Sequence, residues 1–210
     1  MITLQTLVSD SVFQENTYFV IDGREMLIID PGSEPDAIER FINDSQALPL
    51  AVLATHGHPD HIISAEPVCR QYGIPFIMSS LDVKWLDELK NMCSRFRLNY
   101  HGTPSISKDC SGLDRLTVGS WEISVFHTPG HSRGGVCYLI DKNLFSGDTL
   151  FAGGVGRTDL PGGDMPELKN SIRNEIYPLE DDVIVCPGHM SRTDIGTEKR
   201  SNPFFQPRKN

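Results

Sequence analysis

The chain opens with short stretches in which apolar and polar residues alternate and β-branched or aromatic side chains dominate: residues 2–8 (ITLQTLV), 17–22 (TYFVID) and 26–30 (MLIID). A period of two over so few residues predicts strands, and Gly23 supplies a turn between the second and third. Past Asp30-Pro31-Gly32 the period changes. Over 34–43 (EPDAIERFIN), Ile38, Phe41 and Ile42 fall at helical spacing, with Pro35 at the N-terminal end where it is tolerated. Residues 50–54 (LAVLA) are apolar without alternation, as in a strand covered on both faces. A helix is predicted over 61–72, a strand over 74–78 (IPFIM), and a further helix over 80–91, where Val83, Leu86 and Leu89 share one side. Residues 92–113 show no clear period and read either as a lid over a site or as a surface connection. Strands return at 115–119, 121–127, 136–141 and 144–146, most followed by glycine-rich turns, before a helix over 166–176 and a last apolar run at 182–186. Strands with helices in both halves predict a layered α/β sandwich, and 210 residues suit one domain spanning 1–210.

Composition narrows this picture only a little. The hydrophobic fraction of 39% and charged fraction of 22% are those of an ordinary globular protein, and no apolar run approaches the roughly 20 residues of a membrane span, so no membrane partner is expected. The first residues carry neither a basic segment nor a continuous apolar one, which leaves a cytoplasmic location as the expectation. Five cysteines form no CxxC pair, and an odd number fits reduced structural thiols better than a disulfide framework. A net charge of −9 argues against a broad nucleic-acid-binding surface, so no nucleic-acid partner is expected. The oligomeric state is not legible in the sequence.

The chemistry is concentrated at strand ends. Residues 55–61 (THGHPDH) hold three histidines and an aspartate directly after the apolar strand 50–54. His56 and His58 are two apart, so in an extended segment they emerge on one face and can converge on one ion. Asp60 and His61 follow Pro59, where the chain must turn, and so point elsewhere. One segment can thus serve two adjacent ions. HTPGHS (127–132), SGDT (146–149) and CPGH (186–189) repeat the pattern of a strand, a glycine and a metal-seeking side chain.

These motifs, in this order, resemble the HxHxDH…H…D…H signature of the metallo-β-lactamase superfamily. The stretch GDTLFAGGVGRTDLPGGD (147–164) is most similar to the short bacterial type of glyoxalase II, or hydroxyacylglutathione hydrolase. The resemblance implies a four-layer αβ/βα sandwich with a dinuclear site at one edge. It places His56, His58 and His131 on a first divalent metal and Asp60, His61 and His189 on a second, with Asp148 bridging the two. Nitrogen and oxygen donors without a thiolate suit zinc, the foremost expectation, and also iron or manganese. The implied reaction is attack of a metal-bridging hydroxide on an acyl carbon, with Asp60 a ligand that orients the hydroxide. A thioester fits well, since its leaving thiol has a pKa near about 8.5 and needs little acid assistance. A small acyl-thiol, S-lactoylglutathione-like, is therefore the expected substrate.

Around this set, Asp30 resembles the family's buried aspartate beneath the ligand loop, although a turn aspartate before Pro-Gly is the equal alternative. Arg157 and Asp159 are expected to pair and fix the glycine-rich loop. His127 is expected to pack or hydrogen-bond at its strand end. Longer glyoxalase II enzymes carry a C-terminal helical domain that contacts glutathione, and a chain of 210 residues is expected to lack it. Arg95, Arg97, Arg157 and Lys108 are the basic candidates, each also readable as a surface ion-pair partner. The competing readings within the superfamily are an iron-dependent persulfide dioxygenase with one metal, a β-lactamase, a lactonase and a nuclease. A scaffold protein on a retired catalytic fold is the non-enzymatic alternative.

Overall fold

The alternation of the first predicted strands is matched by a meander at the start of the computed structural model, which describes residues 2–206. Strands β1 (Thr3–Val8), β2 (Asn16–Asp22) and β3 (Glu25–Ile29) run antiparallel. Helix α1 (Pro35–Ser45) then carries the chain back to β4 (Leu48–Leu53), which pairs parallel to β3. Short helices α2 (Pro59–Ile62) and α3 (Ala65–Tyr72) lead to β5 (Phe76–Met78), and α4 (Val83–Asp87) and α5 (Leu89–Phe96) lead to the edge strand β6 (Lys108–Asp109). The sheet order is β1-β2-β3-β4-β5-β6, its later members parallel.

The second half repeats the plan. Strands β7 (Arg115–Val118), β8 (Trp121–His127), β9 (Val136–Ile140) and β10 (Asn143–Gly147) form an antiparallel meander, followed by a small hairpin of β11 (Leu150–Phe151) and β12 (Gly154–Val155). Helix α6 (Met165–Ser171) crosses back to β13 (Ile184–Pro187), parallel to β10, before β14 (Thr193–Asp194) and helix α7 (Ile195–Ser201). This sheet runs β14-β13-β10-β9-β8-β7.

Three separate apolar clusters fix the layering. Between the sheets lie Tyr18, Leu27, Ile29 and Leu53 from one half and Ile123, Val125, Tyr138 and Phe145 from the other. The alternate residues of the first sheet, Phe19, Met26, Ile28 and Val52, face outward onto Ile38 and Ile42 of α1, Val68 of α3 and Leu89 of α5. Likewise Cys137, Leu144 and Val185 of the second sheet meet Leu168, Ile172, Ile176 and Ile195. Both faces of each sheet are covered, which is why β4 reads as an unbroken apolar run. The arrangement is helices, sheet, sheet, helices. Among the described residues no helix is long and apolar enough to cross a membrane.

Several predicted boundaries are corrected. The helix expected over 61–72 is two helices, broken where Ser64 donates its hydroxyl to the Ser33 carbonyl and its N–H to the Pro31 carbonyl. The helix over 80–91 is a 3₁₀ turn at Ser80–Asp82, then α4, then α5, and α5 continues to Phe96. Asp82 turns inward there, so a tertiary hydrogen-bonding demand interrupts a plausible period. The segment 92–113 is therefore not uniformly irregular. Its first part completes α5, beyond it Asn99 and His101 both reach Glu34 at the start of α1, and Lys108–Asp109 joins the sheet as β6. The helix over 166–176 begins as predicted but winds as a π-helix over Ile172–Ile176. The hairpin β11–β12, strand β14 and helix α7 had no counterpart in the predicted elements.

Candidate metal centre

Every predicted donor lies beyond the C-terminal end of a strand, along one edge of the seam between the sheets. Two buried tyrosines stitch that edge: Tyr18 donates to the Pro187 carbonyl at 2.8 Å and Tyr138 to the Ala54 carbonyl at 3.0 Å. Residues 54–58 leave β4 through bends at Thr55 and His56, and α2 starts at Pro59, so His56 and His58 precede the helix and Asp60 and His61 lie within it. The predicted split at Pro59 is present.

Hydrogen bonds at the rear of four of the five imidazoles assign their tautomers. Asp30 accepts from Thr55 N–H and from the Thr55 hydroxyl, both at 2.7 Å, and from His61 Nδ1 at 3.0 Å. Because the Thr55 proton is committed to Asp30, its oxygen accepts from His56 Nδ1 at 3.1 Å. His131 Nδ1 donates to the Arg157 carbonyl at 2.7 Å, and His189 Nδ1 to the Phe13 carbonyl at 2.9 Å. Four imidazoles thus present a bare Nε2 lone pair inward, oriented by partners behind them. Asp30 has the supporting role, and the turn-aspartate alternative falls away.

His58 is reversed and points its Nδ1 inward, 2.9 Å from His56 Nε2 and 2.8 Å from His131 Nε2. One ring nitrogen has either a proton or a lone pair, so it cannot satisfy both neighbours. Three converging nitrogens with at most one proton among them form a socket for a cation. Beside it, Asp60 Oδ2 and His189 Nε2 lie 3.4 Å apart, with His61 Nε2 at 3.9 Å from the same oxygen. Asp148 stands between the two groups. Its Oδ1 is 3.4 Å from His61 Nε2 and 3.5 Å from His189 Nε2, whereas its Oδ2 is 3.4 Å from His131 Nε2. His61 Nε2 and Asp148 Oδ1 are buried and make no hydrogen bond among the described residues, a costly arrangement that a shared cation would relieve. The donors present fit two cations.

Electrostatics agree. Burial, with repulsion from His61 and the neighbouring imidazoles, holds His56 well below its ordinary pKa, and burial with His131 brings His58 down to about 3. Both stay neutral, the form that binds metal. Burial also disfavours charge on His61 and Asp148, yet the carboxylates outweigh it and push His61 well up, while His61 and His131 hold Asp148 well below the carboxylate range. Positive charge is called for where Asp60, Asp148 and His61 meet.

Three contributors were not anticipated. Thr55 relays Asp30 to His56. Glu15 is fully buried beside Asp30 and His61, and burial raises its pKa well above the usual carboxylate range. Asp82 accepts from Gly57 N–H at 3.0 Å and the Ser132 hydroxyl at 2.7 Å through one oxygen, and from Gly134 N–H at 2.7 Å through the other. It therefore clamps the loop of His56 and His58 to the loop of His131. The tight spacing 55–61 was visible in the sequence; an aspartate 25 residues away from Gly57 carried no such signal.

The remaining expectations concern the periphery. Arg157 and Asp159 form a bidentate pair at 2.6 and 2.7 Å on the surface, as predicted. His127 donates from Nε2 to the Leu113 carbonyl at 3.1 Å, a hydrogen bond at its strand end as expected. Gly188 packs directly beneath the centre, where a Cβ would collide with His61 Cε1 and come within 2.6 Å of Asp148 Oδ1. Gly188→Ala is expected to weaken metal binding about tenfold or more, of the order seen when supporting contacts of ligands are lost. Competition with a chelator measures this, and unchanged affinity would show that the backbone yields instead.

Comparison with known proteins agrees with this geometry. The model of the metallo-beta-lactamase superfamily matches residues 10–189. Hydroxyacylglutathione hydrolase GloC of Haemophilus influenzae is 36% identical over 211 residues, covering 95% of this chain and 96% of that protein. Among solved structures, the BLEG-1 B3 metallo-beta-lactamase superposes with a TM-score of 0.91 at 36% identity, covering 98% of this chain and all of the other. TTHA1623 in a di-iron-bound form gives a TM-score of 0.86 at 33% identity, covering 97% of this chain and 100% of that one.

Proposed function

Because the chain belongs to the metallo-beta-lactamase superfamily, whose fold the two packed sheets display, we propose that it is a two-metal hydrolase of a small acyl thioester, S-lactoylglutathione-like. The observation that carries the two-metal reading is the division of Asp148, one oxygen toward His131 and the other toward His61 and His189. His56, His58 and His131 would hold one cation, Asp60, His61 and His189 the other, and Asp148 would touch both. Bound there, divalent cations supply an activated water at neutral pH and a Lewis acid for the acyl oxygen. Zinc is the occupant we expect; the same donors accept iron, which the di-iron relative contains.

The chain's own groups favour a thioester over an amide. Water attacks the acyl carbon, the carbon–sulfur bond breaks, and the products are a carboxylic acid and a thiol. A thiolate leaves without prior protonation, because its parent thiol is acidic at about 8.5. An amine or alkoxide needs a proton delivered. Four site imidazoles have their N–H tied to Thr55, Asp30, Arg157 and Phe13, and the fifth, His58, turns Nδ1 toward the cluster and leaves its unpartnered Nε2 on the other side of the ring. Asp60 is suited to orient the attacking water: burial raises its pKa, but His61 and the hydrogen bond to His189 bring it below the ordinary value and keep it an acceptor. The name of the Haemophilus influenzae relative points to the same chemistry.

The test is a substrate panel run with metal analysis on chelator-free protein. Two metals per chain and hydrolysis of S-lactoylglutathione, with weaker turnover of a β-lactam, are expected. One iron per chain, with oxygen consumed on glutathione persulfide and no thioester cleaved, would replace this reading with a dioxygenase.

A further inference from the structure

A groove of ≈ 510 Å³ runs between α4–α5 and the loop around Arg157 and Leu160. Its lining contains none of the metal-binding candidates, but two of its wall residues touch the first histidine cluster. The Trp85 ring on its wall meets His58 edge-on at 4.3 Å between centroids, and the Arg157 carbonyl at its other side holds His131. The channel thus adjoins the first cluster, beside the place where an acyl carbon would react.

The charge of the lining is unusual for a chain of net charge −9. Lys84, Arg95, Arg133 and Arg157 face it, against two carboxylates, Asp82 and Glu88. Three of these six are already engaged. Asp82 is committed to Gly57, Ser132 and Gly134, Glu88 accepts from Asn91 at 2.9 Å, and Arg157 is paired with Asp159. Arg95 and Arg133 have no hydrogen bond or ion pair among the described residues. Arg95 only lies over the Phe96 ring, 5.9 Å from its centroid. The stem of Arg133 lies close to Gly162, with Cγ 3.3 Å from where a Cβ there would be, so the guanidinium is carried along the groove wall. Two unspent planar guanidiniums over an aromatic surface make a receptor for carboxylates, which they bind in bidentate fashion.

From this we infer that Arg95 and Arg133 bind free carboxylates on the thiol carrier, so that the groove selects small carboxylate-bearing thiols over neutral ones. The inference rests on the acyl-thioester reading and adds what that reading leaves open, the determinant of the leaving group.

Calorimetric titration of the metal-loaded protein with S-methylglutathione, a thioether that cannot be hydrolysed, tests it alongside the dimethyl ester and coenzyme A. The acid is expected to bind about tenfold or more tightly than the ester, the scale of one to two charge-assisted hydrogen bonds. Arg95→Gln with Arg133→Gln should bring the acid down to the level of the ester at unchanged metal content. The corresponding lysine pair, which keeps the charge, should retain part of the preference, and added salt should weaken the acid alone. Acid binding that is undetectable in the parent, or equal in parent and glutamine variant, overturns the inference. Tighter, arginine-dependent binding of coenzyme A would assign the groove to phosphate and overturn the carboxylate. The two readings fail separately: arginine-dependent binding without hydrolysis of S-lactoylglutathione removes only the thioesterase, and hydrolysis with arginine-independent binding removes only the receptor.

Discussion

Replacing Asp148 with alanine should lower turnover by about 10³-fold or more and reduce metal content from two ions per chain to one or fewer. The size follows from the several kcal/mol that Lewis-acid and nucleophile activation contribute, at 1.36 kcal/mol per tenfold in rate, about 4 kcal/mol being enough. Among the described residues, no other carboxylate stands between the two histidine groups with oxygens 3.4 Å from both His61 and His131. Its loss also removes the negative charge that offsets burial at His61. Asp148→Asn keeps the shape but offers one good donor oxygen in place of two, and should fall between. Elemental analysis beside steady-state kinetics reads both effects. An alanine variant with two metals and full activity would remove Asp148 from the bridging position.

Asp82 is the second site where a large effect is expected, and it touches no reacting atom. Asp82→Ala leaves the Gly57 and Gly134 amides without an acceptor and frees the Ser132 hydroxyl. Hydrogen bonds to a charged group contribute about 1.5–3 kcal/mol each, and they overlap, so a loss of about 3–5 kcal/mol is expected. For a chain of this size that is a fall in Tm of about 6–20 °C. The positional effect should be distinct from the stability effect. Metal affinity should fall about 10- to 100-fold at the His56–His58–His131 cluster, as for other groups that orient ligands. Asp82→Asn, which can still accept from one loop, should recover part of it. A cobalt-substituted sample reports the ligand geometry in its visible spectrum; an unaltered spectrum with an unaltered Tm would show that the loops hold without the clamp.

The contrast between Asp148 and Asp82 also shows what the sequence made legible. Asp148 sits in SGDT at a strand end, beside glycine, in a setting already marked by His56, His58, His131 and His189. Asp82 sits in SLDVKWLDELK, where aspartate at a helical period reads as a solvent-facing residue. Its role depends on loops 25 and 50 residues away, and periodicity carries no information about such pairings. Ser64 was hidden for the same reason. Helix α7 was missed because IGTEKRS has little apolar stripe beyond Ile195; it is started instead by Asp194, whose side chain accepts from Thr197 N–H at 2.7 Å. The strands were legible because both sheets are covered on both faces, and apolar runs survive in the sequence as a direct record of burial. Among the basic candidates, Arg95 reaches the groove while Arg97 and Lys108 are not among its lining residues, and Arg133 was overlooked. Which arginine faces a channel is decided by tertiary packing.

The donors also divide between the two halves of the chain in a way that bears on assembly. His56 and His58 come from the first half and His131 from the second; Asp60 and His61 come from the first and His189 from the second. Either cation, once captured, would rivet one sheet to the other at the rim of their shared interface. Neither half alone offers more than two side chains of any set, so high-affinity capture must wait until the sheets have docked. Metal uptake would then act as a checkpoint on maturation, and free ion at a hundred times its Kd would hold the closed sandwich by about 2.7 kcal/mol against opening along that seam.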